Sequence, residues 1–337
     1  MSVIFEDICF HNVSEIEKGG GLPGYILHRF PEGVRAAVAP DVADLTRGVE
    51  LRFRLAEGVN ALEPAIYLLA RSGEGEAAVF FGDYLQGALV RLPCGVVTPV
   101  PIRYNKALDD MPRGRFANRL CRVFLNARAA IGYVGHEGTR CEPPQEGDEP
   151  GSTMVCYGSS ITHGGLACAN YNAFVQHAAR RLGMDVVNAG MSGACRAEAE
   201  MTEWLCARDA RVFVIELGAN MLRSVPPEAF ERRARAMLYA IAQKKPDSLV
   251  MASTMLPRGG LSAPEREAFA AFNAALRQIC AEAASPNLHL IEGASLLPDW
   301  TGLSADLTHP SDFGHALIGE RLADAIRPLL RPNGGNA

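Results

Sequence analysis

The 337-residue chain is 48% hydrophobic and 21% charged, too apolar for a disordered protein and long enough for two hydrophobic cores. Its formal net charge of -5, with no long basic run, excludes the usual electrostatic footprint for nucleic acid or an anionic membrane. No stretch approaches the roughly 20 apolar residues of a membrane helix, and the first residues lack the pattern of a secretory signal. We therefore expect a cytoplasmic protein with a small-molecule partner; its oligomeric state is not readable from the sequence.

The cysteines and histidines are dispersed along the chain. Nine cysteines occur without a Cys-x-x-Cys pair, and the eight histidines do not cluster with them. This pattern is typical of reduced thiols in a cytoplasm, whereas a metal site needs ligands at close spacing. We expect neither a metal nor a cofactor.

The first 140 residues consist of short β-type runs separated by Gly and Pro. Residues 49–55 alternate apolar and charged side chains, the period of a strand with one buried face. Further strands are predicted at 65–70, 77–81 and 121–125. Many short strands without a helical period favour an all-β sandwich, of the jelly-roll or immunoglobulin-like kind, for residues 1–140.

An acidic, proline-bearing stretch with almost no apolar residues follows this β-type half. Its composition predicts an exposed linker at 141–150. The linker would separate the N-terminal sandwich domain from a C-terminal domain at 151–337.

Strand and helix patterns alternate after the linker. An apolar run from Met154 stops at Gly158, and further strands are predicted at 185–188, 211–217, 248–253 and 287–292. Helices are predicted at 172–182, 198–207, 227–244, 264–284 and 312–330. This alternation predicts βαβ units, hence a parallel sheet with helices on both faces in a flavodoxin-like three-layer α/β/α domain.

Small and polar residues follow the strands of this second half in four blocks, at 158–160, 188–193, 216–220 and 306–309. Ligands bind at the carboxyl ends of the strands in open α/β folds, so the blocks are expected to converge there. Each block has an ordinary alternative when taken alone. A Gly-Ser-Ser turn is usually only a turn, and Asp-x-x-His can simply cap a helix.

In this order, the four blocks resemble those of the SGNH, or GDSL-type, hydrolases, whose name records Ser, Gly, Asn and His. The resemblance covers roughly residues 153–330, and four ordered blocks are far more specific than any one. By position it implies a nucleophile, a base, an orienting acid and two oxyanion donors, which are Ser160, His309, Asp306, Gly193 and Asn220.

The chemistry of these residue types agrees with the implied roles. His309 would take the proton from the Ser160 hydroxyl, and Asp306 would hold the imidazole tautomer. The oxyanion formed on the attacked carbonyl needs donors already in place, and the N–H of Ser160 would join Gly193 and Asn220. Losing one such donor typically costs about 3 kcal/mol in the barrier.

The sequence departs from the family pattern at two positions. Ser159 stands where the common first block has Asp, and Met221 stands where the third block has Asp after Asn220. Ser159 is also the rival nucleophile. Only one of two consecutive residues points into a cleft, and the motif position favours Ser160.

The layout is similar to bacterial two-domain carbohydrate esterases with an N-terminal β-sandwich. That resemblance implies a serine esterase acting on small acyl esters, acetyl esters above all, on a carbohydrate. Two alternatives stay open: an acyltransferase, in which an alcohol replaces water, and a non-catalytic carbohydrate-binding protein with a degenerate site.

Five further residues are candidates for substrate contacts. His163 follows the nucleophile by three residues, Trp300 precedes the Asp306–His309 loop, and Asp83 lies in a turn of the sandwich domain. Arg196 and Arg223 follow the two oxyanion blocks and are candidates for binding an anionic substrate, although solvated arginines are commoner.

Overall fold

A computed structural model describes residues 2–56, 64–126, 129–138 and 140–330. The chain forms two compact units, which change over at Gly151. Unit 1 also includes the short segment Ala169–Tyr171, and unit 2 contains Ser152–Cys168 and Asn172–Ala337. The ends of the predicted domains, residues 1 and 331–337, lie outside the described residues, as do 57–63, 127–128 and 139.

Unit 1 consists mainly of short strands. They are β1 (Ser2–Phe5), β2 (Ile8–His11), β3 (Glu15–Lys18), β4 (Tyr25–His28), β5 (Glu50–Leu55), β6 (Ala65–Ala70), β7 (Gly75–Phe81), β8 (Tyr84–Leu85), β9 (Val90–Leu92), β10 (Val97–Pro101), β11 (Leu120–Asn126), β12 (Ile131–Glu137) and β13 (Cys141–Glu142). Between β4 and β5 lie two short helices, α1 (Glu32–Ala37) and α2 (Pro40–Ala43), and a 3₁₀ turn, Lys106–Asp110, follows β10.

These strands form two antiparallel sheets around one apolar core. One sheet has the order β1-β2-β5-β11-β7-β8, with β13 paired to β5 and β9 to β7, and the other has the order β10-β6-β12-β4-β3. Alternate side chains from both sheets, such as Leu51 and Phe53 of β5 and Ile66 and Leu68 of β6, lie in the shared core. This period-two burial is that of a sandwich, so the predicted all-β N-terminal domain is confirmed.

The segment predicted as an exposed linker is instead bound to unit 1. Residues 141–142 form β13 on the edge of β5. Asp148 is 4% exposed and accepts a hydrogen bond from Arg54 Nη1 at 2.7 Å, while Glu149 accepts one from Arg52 Nη1 at 2.7 Å. The acidic residues that suggested solvent exposure are counter-ions for arginines of β5. Composition alone does not reveal such partners.

Unit 2 alternates strands and helices. The strands are β14 (Thr153–Gly158), β15 (Asp185–Gly190), β16 (Val212–Glu216), β17 (Leu249–Ser253) and β18 (Leu288–Ile291). The helices are α3 (Phe174–Leu182), α4 (Ala199–Cys206), α5 (Pro227–Lys244), α6 (Ala263–Glu282), α7 (Gly293–Leu296) and α8 (Asp312–Ile326). Short 3₁₀ turns occur at Asn170–Asn172, Trp300–Gly302 and Arg327–Leu329.

The five strands of unit 2 are parallel and ordered β15-β14-β16-β17-β18. Numbered within the unit, this order is 2-1-3-4-5, that of the flavodoxin-like fold, whose switch point lies beside the first strand. Helix α3 packs against α8, and α5 packs against α4 and α6. The predicted three-layer α/β/α architecture is confirmed, and it places the end of β14 at the position where this fold binds ligands.

The helices in the described part of the chain are short or polar by the standard of a membrane span. None of these helices combines the length and the apolar character needed to cross a bilayer.

Candidate active site

Two serines follow β14 directly, and their environments differ. Ser159 is 1% exposed, whereas the neighbouring Ser160 is only partly buried. The Ser159 hydroxyl donates to Glu216 Oε2 at 2.7 Å and accepts from the N–H of Ile161 at 3.2 Å. Both hydrogen bonds of the Ser159 hydroxyl are made to buried groups, so this hydroxyl stabilises the turn. The Ser160 hydroxyl is the more accessible of the two.

Glu216, at the end of β16, accepts hydrogen bonds from the turn that contains Ser159 and Ser160. Its Oε2 accepts hydrogen bonds from the backbone N–H of Ser159 at 2.7 Å and from the Thr162 hydroxyl at 3.0 Å, besides the Ser159 hydroxyl. Burial raises the pKa of Glu216 above its ordinary value, against the lowering effect of the hydrogen bonds from Ser159 and Thr162. The serine that replaces the family's Asp is thus tied to a carboxylate of the neighbouring strand.

Ser160, His309 and Asp306 form a continuous hydrogen-bonded relay. The Ser160 hydroxyl donates to His309 Nε2 at 2.7 Å, and His309 Nδ1 donates to Asp306 Oδ2 at 2.6 Å. Because Nδ1 carries the proton that is donated to Asp306, Nε2 is unprotonated and can accept the proton of the Ser160 hydroxyl. This is the arrangement that a general base needs.

The second oxygen of Asp306 fixes the loop that carries the histidine. Asp306 Oδ1 accepts from the backbone N–H groups of Thr308 and His309, both at 2.9 Å. Burial raises the pKa of Asp306, but the bonds from the His309 side chain and from the two backbone N–H groups outweigh it and lower the pKa below the ordinary value. The Asp306 carboxyl is therefore ionised at neutral pH and can accept the hydrogen bond from His309 Nδ1.

Three hydrogen-bond donors come from the blocks predicted to hold an oxyanion. Asn220 Oδ1 accepts from the N–H of Cys195 at 3.1 Å, which orients the amide and leaves Nδ2 as a donor. Gly193 has φ +76°, a conformation that a side chain disfavours. Among the described residues, Asn220 Nδ2 and the backbone N–H groups of Ser160 and Gly193 have no hydrogen-bond acceptor. The bond from Cys195 also supplies the support that Met221 cannot give.

His163 is buried against the second block, residues 188–193. It is 0% exposed, and its Nδ1 is hydrogen-bonded to Ser192 Oγ at 2.8 Å. In this geometry it supports the loop of Gly193 and presents no surface to a ligand. The predicted substrate contact of His163 therefore finds no support in its position.

Trp300 and Asp83 have contrasting positions in their own units. The Trp300 side chain, in unit 2, is 56% exposed, so one face is open to stack on a ligand. Asp83, in unit 1, accepts from the backbone N–H of Arg115 at 2.6 Å and from its Nη2 at 2.9 Å. These bonds give Asp83 a structural partner, and its contact with substrate stays a prediction.

The arginines expected after the oxyanion blocks lie at the surface. The Arg223 side chain is 82% exposed and forms an ion pair with Glu265 at 2.6 Å. Arg196 is exposed as well. In the described part of the chain, no group of three or more His, Cys, Asp or Glu side chains is arranged to hold a metal ion.

Sequence reasoning missed a buried histidine that holds the loop after the nucleophile. The N–H of Phe174 donates to His315 Nδ1 at 3.2 Å, so His315 Nε2 carries the proton and donates to the carbonyl of Gly165 at 3.0 Å. The N–H of Gly165 in turn donates to the carbonyl of Ser160 at 2.7 Å. His315 lies one turn into α8, and nothing in the sequence near it points to residue 165.

Solved structures with this fold include enzymes of acyl chemistry. A salicylyl-acyltransferase from a tetracycline biosynthetic pathway has a TM-score of 0.80 at 15% identity, covering 98% of each chain. An acetyl xylan esterase from the rumen bacterium Butyrivibrio proteoclasticus has a TM-score of 0.61 at 13% identity, covering 98% of each chain. A family two carbohydrate esterase from Clostridium thermocellum, in complex with cellohexaose, has a TM-score of 0.60 at 15% identity, covering 84% of this chain and 92% of that one. At these identities the likeness is one of fold.

The sequence itself gives the family. No curated protein matches the chain in sequence. The sequence model of the GDSL-like lipase/acylhydrolase family matches residues 152–331, the part of the chain that carries all four blocks. Because this match spans more than half of the chain, the protein belongs to the GDSL-like lipase/acylhydrolase family, the SGNH serine hydrolases that its sequence resembles.

Proposed function

We propose that the protein is a serine esterase that hydrolyses small acyl esters through an acyl-Ser160 intermediate. The observation that carries the proposal is the relay in which Ser160 Oγ lies 2.7 Å from His309 Nε2, and His309 Nδ1 lies 2.6 Å from Asp306 Oδ2. A serine hydroxyl is a weak nucleophile until a neighbouring base takes its proton, and this geometry supplies that base.

The first half of the reaction forms the acyl-enzyme. His309 removes the proton as Ser160 Oγ attacks the ester carbonyl, and Asp306 stabilises the resulting imidazolium. The negative charge on the carbonyl oxygen is taken by the N–H groups of Ser160 and Gly193 and by Asn220 Nδ2, which have no other acceptor among the described residues. His309 then gives its proton to the leaving alcohol.

In the second half, water replaces the alcohol. His309 removes a proton from the water molecule, whose oxygen attacks the acyl carbon, and the same three donors hold the second oxyanion. Collapse of that intermediate releases the acid and returns the proton from His309 to Ser160.

We infer an acetyl ester on a carbohydrate as the substrate class. One fold neighbour is by its name an acetyl xylan esterase, and another is by its name a carbohydrate esterase. The exposed ring of Trp300 offers a surface on which a sugar can stack. A second candidate is acyl transfer to an alcohol, since one fold neighbour is by its name a salicylyl-acyltransferase.

The test compares labelling and turnover in variants of the two adjacent serines. Wild type is expected to hydrolyse p-nitrophenyl acetate and to be labelled by a fluorophosphonate. Ser160→Ala should lose both, whereas Ser159→Ala should keep the label because its hydroxyl is bound to Glu216. A wild type with neither turnover nor label would contradict the proposal, and loss of the label in Ser159→Ala alone would assign the nucleophile to Ser159.

Turnover of further substrates identifies the preferred ester, and added alcohols show whether water or an alcohol accepts the acyl group. Acetylated xylo-oligosaccharides should be deacetylated faster than short lipid esters. If added alcohols yield the transferred ester at the expense of free acid, the protein is an acyltransferase.

A further inference from the structure

Arg258 follows β17, the fourth strand of the parallel sheet, and lies at the same edge of the sheet as the Ser160–His309–Asp306 relay. β17 lies next to β16, and the chain that follows it reaches the histidine loop. The N–H of Gly259 donates to the carbonyl of Leu307 at 2.7 Å, and Arg258 Nη2 donates to the Thr308 hydroxyl at 3.2 Å. Thr308 is the residue before His309, so the guanidinium lies beside the loop that carries the base.

The carboxylates that face Arg258 are all engaged elsewhere. The acidic groups near enough to stabilise its charge are Glu265, Asp306 and Glu216. Glu265 is paired with Arg223, Asp306 accepts from His309, and Glu216 is enclosed by the bonds from Ser159 and Thr162. Arg223 is the like charge that faces it. Among the described residues, Arg258 itself forms no ion pair.

Arg258 is also poorly solvated. The side chain is half-buried, and its Nε is buried with no hydrogen-bond acceptor among the described residues. Burial lowers the pKa of Arg258 below its ordinary value. A partly desolvated guanidinium without a counter-ion is unfavourable, and its planar fork matches a carboxylate through two parallel N–H···O bonds.

We propose that Arg258 binds an anionic group of the substrate, a carboxylate carried on the acyl or the alcohol part close to the reacting ester. This inference rests on the proposed serine esterase chemistry and not on the acetyl group, and it narrows the class of esters that the site accepts. Arg258 is then the residue that selects acidic esters over neutral ones, and the ester's carboxylate is the direct ion-pair partner that no described carboxylate provides.

Two matched pairs of esters test the proposal. Phenyl acetate is compared with 4-acetoxybenzoate, which adds a carboxylate to the alcohol part, and phenyl butyrate with monophenyl succinate, which adds one to the acyl part. In Arg258→Met the charged-to-neutral ratio of kcat/KM should fall by about tenfold to a hundredfold for at least one pair, as expected for losing a charge-assisted bidentate contact. Arg258→Lys should retain part of the preference.

Arg232→Met is the matched control, since Arg232 is an exposed arginine of α5 in the same unit. It should leave both ratios unchanged. Ratios that stay the same in Arg258→Met for both pairs would overturn the inference. So would an equal loss for charged and neutral esters, because Arg258 would then only support the Thr308–His309 loop.

Binding is measured separately so that the inference does not depend on turnover. The intact 4-acetoxybenzoate and monophenyl succinate are titrated calorimetrically into Ser160→Ala and into the same variant carrying Arg258→Met. Weaker binding of the acidic esters in the second protein supports the inference, and equal binding contradicts it. Failure of wild type to hydrolyse phenyl acetate would count against the proposed function alone.

Discussion

Adjacent residues of the same type have different hydrogen-bond partners at the end of β14. Ser159 and Ser160 are chemically identical in the sequence, and motif position was the only ground for choosing between them. The structure distinguishes them through Glu216, a residue 57 positions away whose carboxylate takes the Ser159 hydroxyl. The buried strand that ends in an acid was a visible signal, but the sequence did not say which neighbour that acid would meet.

At the residue scale, Asp306→Asn tests how His309 is oriented. The amide can accept from the N–H of His309 through its oxygen, but it no longer enforces the tautomer with the proton on Nδ1. We expect kcat for p-nitrophenyl acetate to fall by about 10³- to 10⁴-fold with an unchanged circular dichroism spectrum. Near-wild-type kcat would mean that another group orients the imidazole.

At the element scale, hydrogen bonds join the second block, residues 188–193 at the end of β15, to the turn that contains Ser159 and Ser160. Met191 N–H donates to the Gly158 carbonyl at 2.8 Å, and Asn188 Nδ2 donates to the Thr162 carbonyl at 2.9 Å. A Cβ on Gly190 would lie 2.6 Å from Cα of His163. Glycine is therefore required for the two loops to approach each other.

Gly190→Ala is expected to push these loops apart. Since the obstacle is backbone, the clash cannot be relieved by a side-chain rotation, and overpacking of this kind costs about 1–3 kcal/mol. Urea unfolding followed by circular dichroism should show the loss, together with slower fluorophosphonate labelling of Ser160. Gly87→Ala, where a Cβ meets no atom within 4 Å, is the control and should unfold like wild type.

At the scale of the whole molecule, each unit buries a glutamate, and the pKa values of these two glutamates are shifted in opposite directions. Burial raises the pKa of Glu50 in unit 1, but Arg122 and Arg52, bonded at 2.7 and 3.0 Å, outweigh it and hold the pKa well below the ordinary value. Its stabilising effect is present above the ordinary pKa and is lost as the pH falls. Glu216 in unit 2 has hydroxyl and N–H partners instead, and burial raises its pKa.

Glu216→Gln therefore tests a pH dependence of the opposite sign. A raised pKa in the folded state means that the stability contributed by Glu216 is complete below its ordinary pKa, near 4.5, and is lost as the pH rises through the raised value. Wild type should lose stability relative to Glu216→Gln over that interval. Both tryptophans, Trp204 and Trp300, lie in unit 2, so tryptophan fluorescence follows its urea unfolding. A difference that does not change with pH would contradict this assignment.

The fold could be predicted where local pattern is strong. Helix α8 was expected at 312–330 and ends at Ile326, just before a 3₁₀ turn that contains Pro328. Four-residue strands such as β3 and β4 were not predicted, because so short a run shows no reliable period. The acidic segment 141–150 was placed in solvent because the arginines that pair with it are nearly a hundred positions away.

The sequence by itself determined the alternation of the main strands and helices in unit 2 and the four blocks that identify the family, since both depend on residues close together in the chain. Tertiary structure alone decided which of the two serines is hydrogen-bonded to His309, which one is bound to Glu216, and which arginine has no ion pair among the described residues. These properties arise where distant segments meet: Ser160 and His309 are 149 positions apart, and a hydrogen bond between them exists only once the sheet has brought the strand ends together. Burial and partner, which set the chemistry of a side chain, belong to that assembled state.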